Sequence, residues 1–95
     1  MTKAIWKFGP ISGAPVKVMG RPIAAHWQGN QEHGLYVWCE VDPSWSSLTD
    51  DDSQVEWHKV KFVPTGLEYE GKYIATVFEE STDGYQYVWH CIEVE

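Results

Sequence analysis

The chain has 95 residues and a formal net charge of −7, and 43% of its residues are hydrophobic and 15% aromatic. This length predicts one domain, residues 1–95, which can bury about 65% of its unfolded surface without a metal or disulfide. The negative charge disfavours direct binding to nucleic acid, whose phosphates are contacted by Lys and Arg, and is compatible with a basic protein partner.

Seven short strands are predicted from alternating apolar residues and from β-branched and aromatic runs. In chain order they cover residues 4–8, 16–19, 23–28, 35–41, 54–63, 72–78 and 85–94. Asp83 and Gly84 form a strong hairpin signal between the last two strands. In the irregular stretch 44–53 only a single helical turn is expected. The pattern predicts an all-β fold, either a small antiparallel barrel or a sandwich.

The two halves of the chain echo each other at an offset of 51 positions. Trp6 then aligns with Trp57, and residues 36–38 align with 87–89, both of which read Tyr-Val-Trp. One interpretation is an internal repeat, 1–44 and 52–95, packed about a pseudo-two-fold axis with Trp38 and Trp89 in equivalent places. The alternative is that two β-hairpins are alike only in composition.

The sequence also bears on the cellular compartment and on the two cysteines. It has neither the apolar core of a signal peptide nor a run of 18 apolar residues, so neither secretion nor a membrane helix is predicted. The expected location is cytoplasmic, where Cys39 and Cys91 are reduced. Free cysteines in buried strands are favoured over a disulfide between them.

Several segments, in matching order over nearly the whole chain, carry a resemblance. Residues 4–8 are similar to an Ile-Trp-Lys-Tyr opening, and residues 35–43 to a Leu-Trp-Ala-x-Val-Asp-Pro segment. Residues 73–77 are similar to Tyr-Ile-Gly-Thr, and residues 88–93 to a closing Val-Trp-His-Val-Phe-Glu. The chain thus resembles a family of small uncharacterised bacteriophage and prophage proteins, although it has Leu-Glu at 67–68 where relatives carry His-Pro. The resemblance implies a phage-type origin and a host-cytoplasmic setting, and it implies no catalytic residues.

Catalytic and metal-binding motifs do not stand out in the sequence. Zinc sites usually take close pairs of Cys or His ligands, and the adjacent His90 and Cys91 point to opposite faces of a strand. The acidic run at 50–52 lacks the spacing of a calcium loop, and no Gly-x-Ser-x-Gly motif is present. We therefore predict no catalytic residue, no metal and no cofactor, and a protein that is not an enzyme.

Aromatic and acidic residues supply the functional prediction. Strands four and seven are apolar on both faces, so their aromatic faces are either core or a binding surface, and Tyr and Trp are enriched at interfaces. The residues predicted to bind a partner are Tyr36, Trp38, Trp45, Asp50, Asp51, Asp52, Tyr85, Tyr87 and Trp89.

The function predicted from these features is a phage-type protein-interaction module that binds and modulates or inhibits a host or host-defence protein. A second hypothesis is a small virion or assembly accessory protein. A third is a small-ligand-binding barrel. No membrane partner is predicted, and a homodimer remains an open alternative.

Overall fold

The computed structural model describes residues 2–12, 14–29, 33–47, 55–80 and 83–95. These residues form seven strands and one short 3-10 helix, Pro43–Ser47. The strands are β1 Ala4–Phe8, β2 Val16–Met19, β3 Arg21–Gln28, β4 Gly34–Val41, β5 Trp57–Pro64, β6 Lys72–Glu80 and β7 Gln86–Val94. Within this part of the chain, no helix has the length and apolar character needed to cross a bilayer.

The strands form two antiparallel sheets that pack as a sandwich. The three-stranded sheet has the order β1-β4-β3, and the four-stranded sheet has the order β2-β5-β7-β6. The sheets do not close into a barrel, so the all-β prediction is confirmed and its sandwich alternative is the one observed. The chain passes from one sheet to the other at Gly20, between β2 and β3. The amide of Gly20 donates to the carbonyl oxygen of Glu56 at 2.7 Å.

The boundaries of β1 and β2 match the predicted ones, and those of the other five strands differ by one to three residues at one or both ends. β3 begins at Arg21, and a bulge between Pro22 and Ala24 accommodates the proline in the pairing with β4. The 3-10 helix is the single helical turn expected in 44–53, of which residues 48–53 lie outside the described residues. Gln54, the predicted start of the fifth strand, also lies outside them.

The core lies between the sheets and is made by alternate residues of the strands. Its buried members are Ile11, Val18, Leu35, Val37, Cys39, Val41, Val60, Phe62, Val77 and Cys91. Cys39 and Cys91 are fully buried free thiols. Burial is the main cause that raises the pKa of each thiol to about 12, so both are protonated at neutral pH.

The 51-residue offset aligns hairpin β3–β4 with hairpin β6–β7. The two hairpins pack on the core with opposite faces. Trp27 packs against the core, whereas its counterpart Phe78 is 58% exposed. Trp89 packs against the core, whereas Trp38 faces away from it and stacks on His26. Ala24 lies opposite Trp38, whereas the aligned Ala75 lies opposite Cys91, two positions beyond Trp89. A shift of two positions leaves side chains on the same face of a hairpin, so the two hairpins differ in which face packs on the opposite sheet. The predicted equivalence of Trp38 and Trp89 is therefore wrong, and duplication of the chain stays a prediction.

Candidate functional site

Three predicted aromatic residues form a stripe that begins just before β7 and continues along it. Tyr85, Tyr87 and Trp89 occupy alternate positions, which places them on the same side of the extended chain. Tyr85 is 70% exposed and Tyr87 is 43% exposed, whereas Trp89 is half-buried and packs against the core. The stripe therefore runs from the core into solvent, towards the end of the β6–β7 hairpin.

Acidic side chains hold the polar ends of this stripe. The indole Nε1 of Trp89 donates to Glu79 Oε1 at 2.9 Å, and the hydroxyl of Tyr87 donates to Asp83 Oδ2 at 3.1 Å. The other oxygen of Asp83 accepts the amide of Tyr85 at 2.9 Å, which is the arrangement of an Asx-turn. The Asp83 carboxylate also raises the pKa of Tyr87, so the phenol stays neutral. The rings of Tyr87 and Trp89 are thus held at their polar ends, whereas Tyr85 is held through its backbone.

The same end of the hairpin carries a concentrated negative charge. Glu79, Glu80 and Asp83 lie within five positions, and in the described part of the chain no Lys or Arg forms an ion pair with Glu79 or Glu80. We call Glu79, Glu80, Asp83, Tyr85 and Tyr87 the hairpin end. Exposed tyrosine rings beside carboxylates can contact a basic protein surface through apolar area, cation–π contacts and charge.

Tyr36 and Trp38 lie elsewhere, on the outer face of the three-stranded sheet. Trp38 Nε1 donates to His26 Nδ1 at 2.7 Å, and the two rings stack with centroids 5.1 Å apart. The ammonium of Lys7 lies 4.9 Å from the ring centroid of Tyr36. Burial and the Lys7 charge lower the pKa of His26, which fits a neutral ring accepting at Nδ1. Tyr36 is only 3% exposed, so it offers almost no surface to a partner.

Trp45 and the acidic run complete the predicted set. Trp45 is half-buried in the 3-10 helix and packs against the core. Asp50, Asp51 and Asp52 lie outside the described residues. Of the nine predicted residues, the structure brings together Tyr85, Tyr87 and Trp89 and separates Tyr36 and Trp38 from them.

Four exposed aromatic residues, Trp57, Tyr69, Tyr73 and Phe78, were not among the predicted site residues, and two of them share one face of a strand. Tyr73 is 50% exposed and Phe78 is 58% exposed, both on the outer face of β6. The signal was present, because Phe78 directly precedes two glutamates near a hairpin turn.

His58 and His90 make hydrogen bonds that join neighbouring parts of the four-stranded sheet. His90 contacts the hydroxyls of Thr65 and Thr76, one at each ring nitrogen and both at 2.9 Å. It lies on the outer face of its sheet while its neighbour Cys91 is in the core, as alternation predicts. His58 Nδ1 donates to Glu93 Oε2 at 2.7 Å.

Neither a search for metal-binding groups nor a comparison with known proteins identifies a ligand or a function for the site. Among the described residues, no group of three His, Cys, Asp or Glu side chains is arranged to hold a metal ion. No family model, curated protein or solved structure matches the chain.

Proposed function

We propose that this chain is a non-enzymatic, phage-type protein-interaction module whose hairpin end binds a basic surface of a host or host-defence protein and modulates that protein. The observation that carries the proposal is the pairing of exposed Tyr85 and Tyr87 with the carboxylates of Glu79, Glu80 and Asp83. Its phage-type setting and its location in the host cytoplasm rest on the segments that resemble phage and prophage proteins.

Physical reasons favour this surface over the other aromatic residues. Hot spots of interfaces are enriched in Tyr and Trp, whose rigid rings contribute a large contact area at low entropic cost. Tyr85 and Tyr87 have that area available, whereas Tyr36 is buried beneath the chain around Gly9. The charge of the hairpin end and the net charge of −7 both favour fast encounter with a basic partner.

The test compares two variants in pull-downs from host lysate. The double variant Tyr85→Ser with Tyr87→Ser removes both exposed rings of the hairpin end. The matched control is Tyr69→Ser. Tyr69 is 45% exposed, a fraction similar to the 43% of Tyr87, but it lies between β5 and β6. We expect the wild type and the control to retain the same host protein, and the double variant to lose it.

Salt provides the second arm of this test. Retention is expected to fall as salt rises, because exposed charges are screened over about 8–10 Å at physiological ionic strength. If the double variant and the wild type retain the same proteins, or neither retains any above background, the hairpin end is not a binding surface.

A further inference from the structure

A second site lies away from the hairpin end, in a cavity of about 460 Å³. Small-molecule sites typically have volumes of about 300–1,000 Å³. The described residues that line the cavity are Lys3, Arg21, Glu40, Asp42, Ser44, Trp45 and Glu56. Three backbone contacts position its walls: Arg21 pairs with Glu40 across β3 and β4, Gly20 bonds to Glu56, and Trp45 bonds to Asp42.

One wall of the cavity offers hydrogen-bond donors to an anionic group. Lys3 Nζ and an Arg21 guanidinium nitrogen both lie 3.1 Å from the same oxygen, Glu40 Oε1. These two cations lower the pKa of Glu40, Arg21 most, so the carboxylate is ionised at neutral pH. Each cation keeps further N–H donors, since Lys has three and Arg has five. A ligand carboxylate can take those donors without displacing Glu40.

The remaining charged residues suit cationic groups. Asp42 Oδ1 accepts the amide of Ser44 at 2.9 Å, and this backbone bond is the main cause that lowers the pKa of Asp42. The Glu56 carboxylate is 58% exposed. Trp45 adds a half-buried indole to the lining, and cations bind favourably over tryptophan rings.

The described lining residues include two cations and three carboxylates, so their formal charge is −1. A ligand with one carboxylate and two cationic groups has the opposite charge and matches both kinds of wall. We propose that this cavity binds a free basic amino acid of the arginine type. Its carboxylate contacts Lys3 and Arg21, and its two cationic groups contact Asp42 and Glu56, with Trp45 beside them. This site is independent of the hairpin end, and either can exist without the other.

Ligand analogues test the assignment on the unmodified chain by titration calorimetry or NMR. L-arginine is the probe, and three analogues each lack one charged group. Agmatine lacks the carboxylate, citrulline lacks the guanidinium charge, and Nα-acetyl-L-arginine lacks the α-ammonium group, as does a C-terminal arginine of a peptide. We expect saturable binding of L-arginine and about threefold to tenfold weaker binding of each analogue.

Two charge-neutralising variants locate the site. Arg21→Gln is expected to weaken L-arginine binding by about threefold to tenfold and not to weaken agmatine binding, because agmatine has no carboxylate for Arg21 to bind and its cationic groups are repelled by Arg21. Lys72→Gln is the matched control, since it changes the net charge equally and Lys72 does not line the cavity. Circular dichroism confirms that both variants fold. Agmatine binding as tightly as L-arginine, equal effects of the two variants, or no saturable binding of L-arginine would overturn the proposal.

Discussion

Replacing Gly20 with alanine should destabilise the protein more than the same change at a glycine with equal backbone strain. Gly20 has a φ of +85°, and a Cβ there would overlap the Glu40 carbonyl oxygen and lie 2.6 Å from Val41 Cγ1. Both atoms belong to β4, the middle strand of its sheet. Relieving the overlap therefore requires a shift of the strand backbone and of a core side chain. Gly84 also has a φ of +85°, and no atom of the described residues lies within 4 Å of its Cβ position.

These two glycines allow the two costs to be separated. An alanine held at positive φ costs about 1–2 kcal/mol, which is the whole effect expected for Gly84→Ala. Forcing an extra methyl group into packed structure costs about 1–3 kcal/mol more, which applies only to Gly20→Ala. The free energy of unfolding of Gly20→Ala should thus be about 1–3 kcal/mol below that of Gly84→Ala. In a domain of this size, each kcal/mol shifts Tm by about 4–8 °C.

Urea unfolding followed by tryptophan fluorescence measures the difference, provided that the two variants have similar m-values. Gly71→Ala should resemble Gly20→Ala, because a Cβ at Gly71 would overlap the Glu93 carbonyl oxygen. If the free energies of unfolding of Gly20→Ala and Gly84→Ala agree within about 0.5 kcal/mol, β4 accommodates the methyl group and the packing argument is refuted.

Three further predictions follow from the pKa shifts and from one hydrogen bond. Burial raises the pKa of Cys39 and of Cys91 to about 12, so a thiol reagent at mildly alkaline pH should label neither in the native state and both in denaturant. Because Arg21 and Lys3 lower the pKa of Glu40, its stabilising effect is present above its ordinary pKa of 4.5 and is lost as pH falls through the lowered value. In a plot of the urea midpoint against pH, Glu40→Gln should therefore reduce the fall at acid pH. An unchanged fall would contradict this. Trp38→Phe removes the bond to His26 and should cost about 1 kcal/mol in urea unfolding, whereas no loss would show that the bond contributes nothing.

Local patterns were sufficient to predict the strands and the placement of several side chains. Strands 4–8 and 16–19 match β1 and β2 in full, because alternation and a following glycine or proline define short strands without reference to partners. Alternation also separated His90 from Cys91 correctly. The boundary of β3 was less predictable, because a bulge after Pro22 lets the strand begin two residues earlier.

The inward face of each hairpin could not be predicted from the same patterns. Strands four and seven are apolar on both faces, so alternation leaves two solutions, and packing of each hairpin on the opposite sheet decides between them. That packing depends on contacts distant in sequence, such as the packing of Trp89 against the core. The repeated Tyr-Val-Trp segment suggested the same answer for both hairpins, and the structure has opposite answers. Exposure of Phe78 is the direct consequence.

The aromatic stripe shows why the proposed binding surface is narrower than the sequence indicated. Alternation predicts that Tyr85, Tyr87 and Trp89 share a face, and within β7 Tyr87 and Trp89 do. Trp89, however, packs against the core and donates to Glu79, so replacing it would alter folding and binding together. Tyr85 and Tyr87 extend past the core, and their removal leaves its packing intact. A loss of binding at these two positions, with unfolding unchanged, would therefore report on the surface itself.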